Sequence, residues 1–321
     1  MQYINLSVVI PTFKREYQVI KIINEIKKQI KKNMNVEILI CDSYSNYNKK
    51  KLKSNKKNLK IKYLNIIKNN LSAKRNYGIK KTNFENLDLI DDDCIPKKNF
   101  LKNYISNFKK IENKTILSGI VKYPAKYILK YNHIKYKNLK HFKNDWNILK
   151  ELSPDKIVAM NMAFKKTKDF SSLSFFDERF KGYGFEDHEF AFRYTKKGFK
   201  LLRSKATIIH DEGDPNINNY SKKYYHLARD GMRNLLRVDK SLAKSTIYYQ
   251  IENNRFILAL ICIPYMSNIL RALEKIIIKT DKIPNFKLLF LYDYLRLFSY
   301  IRGYIDRKKN KIKTKKNIWY D

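Results

Sequence analysis

The chain has 321 residues, 44% apolar and 14% aromatic, enough to bury a core in one large or two smaller domains, which excludes a disordered polymer. Sixty-eight Lys and Arg against 30 Asp and Glu give a formal net charge of +38, a balance that points to nucleic acid, anionic lipid or phosphorylated ligands. Lys, Asn and Ile are abundant throughout, however, as in YNKKKLKSNKKNLK (47–60), a pattern that an AT-rich coding sequence produces without selection for a partner, which weakens the inference from charge.

In chain order, LSVVIP is too short for a signal-peptide core and lacks a cleavage site. Leu6–Ile10 is a short β-branched apolar run, and Val36–Ile40 is another, interrupted only by Glu37. Between them Val19, Ile22, Ile23, Ile26 and Ile30 recur at helical spacing. Strand, helix, strand with apolar strands predicts an α/β fold around a mostly parallel sheet covered on both faces. Ligands of such sheets sit beyond the carboxyl ends of the strands. That rule singles out Pro11 and Thr12, then Asp42 and Ser43, then Asp91, Asp92 and Asp93 after the strand Leu87–Ile90. There is no G-x-x-x-x-G-K-[ST], and the lone G-x-G of GYGFED follows no clear strand, which disfavours P-loop and dinucleotide-binding enzymes.

On an extended strand, alternate side chains share a face, so Asp91 and Asp93 converge while Asp92 turns away. Two converging carboxylates repel unless a cation lies between them, and a hard divalent metal suits such a site and leaves positions open for a diphosphate. A solvated turn capping a helix before Pro96 is the plain alternative. Further on, Val158–Phe164 and Ala206–Ile209 read as strands, and His210 closes the second. GYGFED offers Gly182 and Gly184 for close backbone approach, Tyr183 and Phe185 as flat aromatic faces, and the carboxylates Glu186 and Asp187. A carboxylate held against metal has depressed basicity, so this second pair stands as a separate carboxylate site. A helix N-terminus whose dipole Glu186, Asp187 and Glu189 complement is compatible with it.

The motifs LSVVIPTFKRE (6–16), EILICDSYSN (37–46), NLSAKRNYGI (70–79) and LIDDDCIP (89–96) resemble the successive nucleotide-binding motifs of family-2 glycosyltransferases with the GT-A (nucleotide-diphospho-sugar transferase) fold. NMAF (161–164), FDERFKGYGFEDHEFAFR (176–193) and ATIIH (206–210) resemble the acceptor half, in its galactosyltransferase-like version. The resemblance implies nucleotide-sugar contacts from Pro11, Thr12, Arg15, Asp42, Arg75, Asp91 and Asp92, and a divalent metal, Mn2+ or Mg2+, held by Asp93, Asp91 and His210. Asp187 becomes the catalytic base, and Glu186, Tyr183, Gly184 and Asn161 bind the acceptor. Many members carry two acidic residues where this chain has Asp42 and Ser43. Plain structural roles stand beside several of these: a surface arginine for Arg75, a hydrogen-bonded histidine for His210, a turn amide for Asn161 and an ion pair for Arg193.

The expected organisation is a nucleotide-sugar-binding half (1–98), an acceptor and catalytic half (99–215) and a helical extension (216–321). The expected activity is inverting, metal-dependent transfer of a hexose or N-acetylhexosamine from a UDP sugar to a glycan or lipid-linked glycan in bacterial surface polysaccharide or lipooligosaccharide synthesis. A nucleotidyltransferase would need a glycine-rich loop that TFKRE does not supply, and a nucleic-acid-binding protein would leave both acidic clusters unexplained. Three widely spaced cysteines, Cys41, Cys94 and Cys262, suggest no disulfide framework or zinc cluster and fit the cytoplasm. FILALICIPYM (256–266) falls short of the ~20 residues of a spanning helix. Residues 286–305, followed by the basic run 307–316, read either as an amphipathic helix attached to the inner face of an anionic membrane or as a helix packed on the main domain with a disordered tail.

Overall fold

The computed structural model describes residues 4–44, 52, 54–140, 148–255 and 264–309, with backbone only for 264–267. Cys262, residues 47–51 and 53 of the lysine-rich stretch, the apolar run up to 263 and the basic run beyond 309 lie outside the described residues. The strands are β1 (Ile4–Thr12), β2 (Met34–Asp42), β3 (Leu59–Asn65), β4 (Asn86–Ile90), β5 (Cys94–Pro96), β6 (Thr115–Lys122), β7 (Asn161–Lys165) and β8 (Lys200–His210). They form one sheet in the order β3-β2-β1-β4-β7-β6-β8-β5.

The first four strands run parallel, and the largely apolar runs of β1 and β2 are those expected of a sheet covered on both faces. Leu6, Val8, Val9 and Ile10 are fully buried, each stabilising the fold by roughly 1.5–3 kcal/mol. Helix α1 (Glu16–Gln29) turns Val19, Ile22, Ile23 and Ile26 onto one face of the sheet, beside α3 (Phe100–Phe108). Helix α2 (Leu71–Lys81) covers the other, its first turn capped by the Asn70 side chain accepting from the Ala73 N–H. The charge that interrupts β2 is satisfied: buried Glu37 accepts from the Ser7 hydroxyl, the Asn83 amides and Lys62 Nζ.

The second half is mixed. β7 runs antiparallel to both β4 and β6, and β5 antiparallel to β8, while β6 and β8 are parallel. The strand expected at Val158 starts at Asn161, because the chain turns at Ala159–Met160, the Asn161 N–H donating to the Val158 carbonyl.

The helix predicted over 286–305 runs from Leu291 to Lys308, after a connection in which Asn285 has φ 55°. It packs on the main body, as the second of the two expectations had it for the helix; the tail of that expectation lies outside the described residues. Tyr292, Leu295, Phe298, Tyr300 and Ile301 are buried. Its polar positions also turn inward: Ser299 meets Ser221 at 2.5 Å, and Arg307 Nη1 donates to the Ala228 carbonyl at 2.8 Å. Gly303 is required where the helix crosses α8 (Ile217–His226), since a Cβ there would lie 2.1 Å from the Tyr225 carbonyl oxygen.

Asp88, inside β4, is fully buried, and neither carboxylate oxygen has a hydrogen-bond partner. Burial raises its pKa well above the ordinary value. A raised folded pKa means the folded state keeps a proton the unfolded chain releases, so stability falls as pH rises above about 4. Asp88→Asn removes that loss. In urea melts the variant should be more stable than the native chain by about 1–3 kcal/mol at neutral pH, and the gap should close below about pH 4.

Candidate active site

Beyond the carboxyl ends of β1 and β4 lies a cleft of about 1380 Å³. Its floor is built by an unusual path. β4 ends at Ile90, Asp91–Asp93 form a turn across the strand ends, and the chain re-enters the sheet as β5, with Cys94 opposite His210. The extended alternation expected of the three aspartates is therefore absent, and each carboxylate has its own direction. Asp91 pairs with Arg75 Nη2 at 2.9 Å. Asp92 accepts from the Thr12 hydroxyl at 2.8 Å and from Arg15 Nη1 at 3.0 Å. Asp93 accepts from the same Arg15 nitrogen at 3.1 Å and lies 3.4 Å from His210 Nε2.

One guanidinium thus serves two adjacent carboxylates, a single positive charge against two negative ones. Burial and the neighbouring Asp93 push Asp92 up to about 7. Asp93 goes the other way: burial opposes its ionisation, but His210 and Arg15 hold its carboxyl below the usual range.

Arg75 joins this floor to the opposite wall. It projects from α2, is 2% exposed, and reaches Asp91 with one nitrogen and Glu186 Oε1, 3.3 Å away, with the other. Its charge is needed: despite burial, Asp91 and Glu186 raise its pKa. Lys74, its neighbour, donates to the Thr12 carbonyl at 2.8 Å and fixes the end of β1; burial lowers its amine to about 8.

Glu186 and Asp187 open α7 (Glu186–Thr195), placing both carboxylates at the positive end of its dipole. Asp187 Oδ1 accepts from the His188 N–H at 2.9 Å. Burial, then the like charge of Asp187, raise the Glu186 carboxyl. The loop before them holds Gly182, Gly184 and Phe185 at positive φ. Gly184 has φ 97°, and a Cβ there would meet Leu227 at 2.3 Å. Phe185 packs in a cluster with Leu227, Met232 and Leu235.

Pro11, Thr12, Arg15, Arg75, Asp91, Asp92, Asp93, Tyr183, Gly184, Glu186, Asp187 and His210 all line the cleft. Two expected residues do not. Asp42 is fully buried, its oxygens occupied by the Tyr44 N–H and the Tyr63 hydroxyl. Asn161 is equally buried, its amide donating to the Ile120 and Ala206 carbonyls and accepting from the Tyr104 hydroxyl. It ties the sheet together and does not line the cleft. Arg193 is likewise structural, paired with Glu189 at 2.6 Å.

The expected metal set is divided by this geometry. Asp93 and His210 meet, joined by the buried Cys94 thiol, with ligand atoms within 4.8 Å of one another, whereas Asp91 is turned to Arg75. His210 Nδ1 is buried without a hydrogen bond, and Glu212 Oε1 lies 3.8 Å from it. A carboxylate and an imidazole, one with an orphaned nitrogen, fit a divalent cation. Burial raises the Cys94 thiol well above its ordinary range, which favours the oxygen and nitrogen donors over sulfur.

A third wall escaped the sequence reading. Lys137 and Lys223 both reach Glu212, at 2.8 and 3.2 Å, and with Tyr224, Tyr248 and Arg296 they line the cleft. Glu212 stands two residues past the flagged His210, which was the available signal; the helices bearing Lys223 and Arg296 carry no motif.

Residues 7–170 match the family model described as Glycosyl transferase family 2. Among solved structures, the chain is similar to the mannosyltransferase PcManGT from Pyrobaculum calidifontis in complex with GDP-Man and Mn2+, at 12% identity and a TM-score of 0.60, over 96% of this chain and 88% of that one. It is also similar to S. aureus TarS 1-349, at 15% identity and a TM-score of 0.47, over 98% and 93%. No curated protein matches the sequence.

Proposed function

We propose, from the premise that the chain belongs to glycosyl transferase family 2 and so transfers a sugar from a nucleotide-sugar, that it moves a hexose or N-acetylhexosamine from a UDP sugar to a glycan hydroxyl, with inversion. The observation that carries this reading is the Arg75 bridge, which sets the aspartate turn and the Glu186–Asp187 pair on facing walls of one cleft. Asp187 takes the proton of the acceptor hydroxyl. The acceptor oxygen bonds the anomeric carbon from the face opposite the diphosphate, and the breaking bond leaves its electron pair on the diphosphate oxygen.

Glu186, held by Arg75, orients the acceptor, and Tyr183 offers a flat face to its ring. Thr12 and Arg15 fix Asp92 and Asp93 against the donor side. Mn2+ or Mg2+, held by Asp93 and His210, supplies positive charge to the departing diphosphate when bound. A glycan of a bacterial surface polysaccharide or lipooligosaccharide is the acceptor, modified at the cytoplasmic face of the membrane.

The test is a panel of UDP and GDP sugars assayed for nucleoside diphosphate release, with EDTA and with added Mn2+ or Mg2+. Release from a UDP sugar should stop with EDTA and return with the metal. His210→Ala should raise the Mn2+ concentration needed for half-maximal rate by about 10–100-fold. Full activity in EDTA, or release of pyrophosphate in place of the nucleoside diphosphate, overturns the reading.

A further inference from the structure

Among the described side chains of the helix Pro264–Lys279, those on one side are covered and those on the other are exposed. Ile277 is buried, and Ile278 packs with it among Tyr292 and Leu295. The opposite side presents Ile269, Leu273 and Ile276, 53%, 42% and 56% exposed, at the i, i+4, i+7 spacing of one helical stripe. The connection that follows adds Ile283, Leu288 and Phe290, again 47–63% exposed.

What borders this stripe decides what covers it. Arg271, Lys275, Lys279, Lys282 and Lys287 are all exposed. Between residues 264 and 290 the sequence has two acidic residues, Glu274 and Asp281. Glu274 is turned toward Arg302, 3.1 Å away, and Asp281 is buried against His133 at 2.8 Å. The outer surface therefore combines branched apolar side chains with a single sign of charge.

We infer that this surface docks on an anionic lipid bilayer, the helix lying in the interface with Ile269, Leu273 and Ile276 among the acyl chains and the basic side chains at the headgroups. Apolar burial and attraction to anionic headgroups add in that arrangement, each basic residue contributing about 1 kcal/mol near the surface. A second copy of the chain is disfavoured as the occupant, because two such faces would bring like charges together. No described helix is long and apolar enough to cross a membrane, so attachment here is peripheral. The inference does not rest on the sugar-transfer reading, as none of these residues lines the cleft.

The experiment is co-sedimentation of the full chain with vesicles of phosphatidylcholine alone and of phosphatidylcholine mixed with phosphatidylglycerol, at low and high salt. Binding should need phosphatidylglycerol and weaken with salt. The triple variant Ile269→Ser, Leu273→Ser, Ile276→Ser should bind at least about tenfold more weakly, as should Arg271→Glu, Lys275→Glu, Lys279→Glu. Circular dichroism and the thermal melt should match the native chain in both, because the replaced side chains are solvent-facing. Undiminished binding by the apolar triple variant overturns the inference, as does equal binding to phosphatidylcholine alone. Self-association lost in that variant, without vesicle binding by the native chain, overturns it as well.

Discussion

Asp187→Asn is expected to lower the rate of transfer at saturating substrates by about 10²–10⁴-fold, the usual worth of a positioned general base, while nucleotide affinity stays within about twofold. The asparagine keeps the oxygen that accepts from the His188 N–H, so the first turn of α7 is undisturbed. Only the capacity to take a proton is lost. Steady-state kinetics with donor and acceptor varied separately, beside calorimetric titration with the nucleoside diphosphate, measure both halves. A variant with native turnover would remove Asp187 from the chemistry.

The second large effect concerns Arg75. Arg75→Met retains most of the side-chain volume but removes the cation from between Asp91 and Glu186. Breaking a buried ion pair by deleting one partner costs about 3–5 kcal/mol, because the charge left behind is uncompensated. Here two carboxylates are left, 24% and 15% exposed, so the cost belongs at that scale with modest solvent relief. Urea denaturation should show the loss, and both nucleotide binding and transfer should fall, since the two walls lose their common anchor. Arg75→Lys should recover part of the stability and little of the activity, because one ammonium cannot serve both carboxylates with the geometry of a fork. A loss below about 1 kcal/mol in Arg75→Met would make the bridge incidental.

These effects depend on features that the sequence revealed unevenly. The β1–α1–β2 unit was legible because its apolar residues keep strict spacing: Val19, Ile22, Ile23 and Ile26 are buried as the helical period demands. The aspartate run was legible as a site because it follows a buried strand. Its internal geometry was not, since period-2 alternation holds only while the chain stays extended, and at Asp91 it turns. The return of the chain as β5 could not be read from three residues, CIP, one of them a proline; it is fixed by pairing with β8, more than a hundred residues away.

Asp42 and Asn161 show the limit of reading roles from motifs. Each stands at the end of a strand, where a side chain is equally able to face a ligand or to satisfy neighbouring backbone and hydroxyl groups, and in both the internal bonds prevailed. The amphipathic reading of residues 286–305 was misleading for a related reason. Arg296 and Ser299 look solvent-facing by composition, yet Arg296 meets the Tyr136 hydroxyl at 2.8 Å and Ser299 meets Ser221. Long-range polar partners of this kind leave no periodic trace.

The central claim is a division of labour between the two acidic clusters that Arg75 joins. The most direct measurement is calorimetric titration of Asp93→Ala and Asp187→Asn, side by side, with a nucleoside diphosphate in the presence and absence of Mn2+. The account predicts that Asp93→Ala loses the Mn2+-supported part of the affinity and that Asp187→Asn retains it; an equal loss in both variants, or none in either, would contradict it.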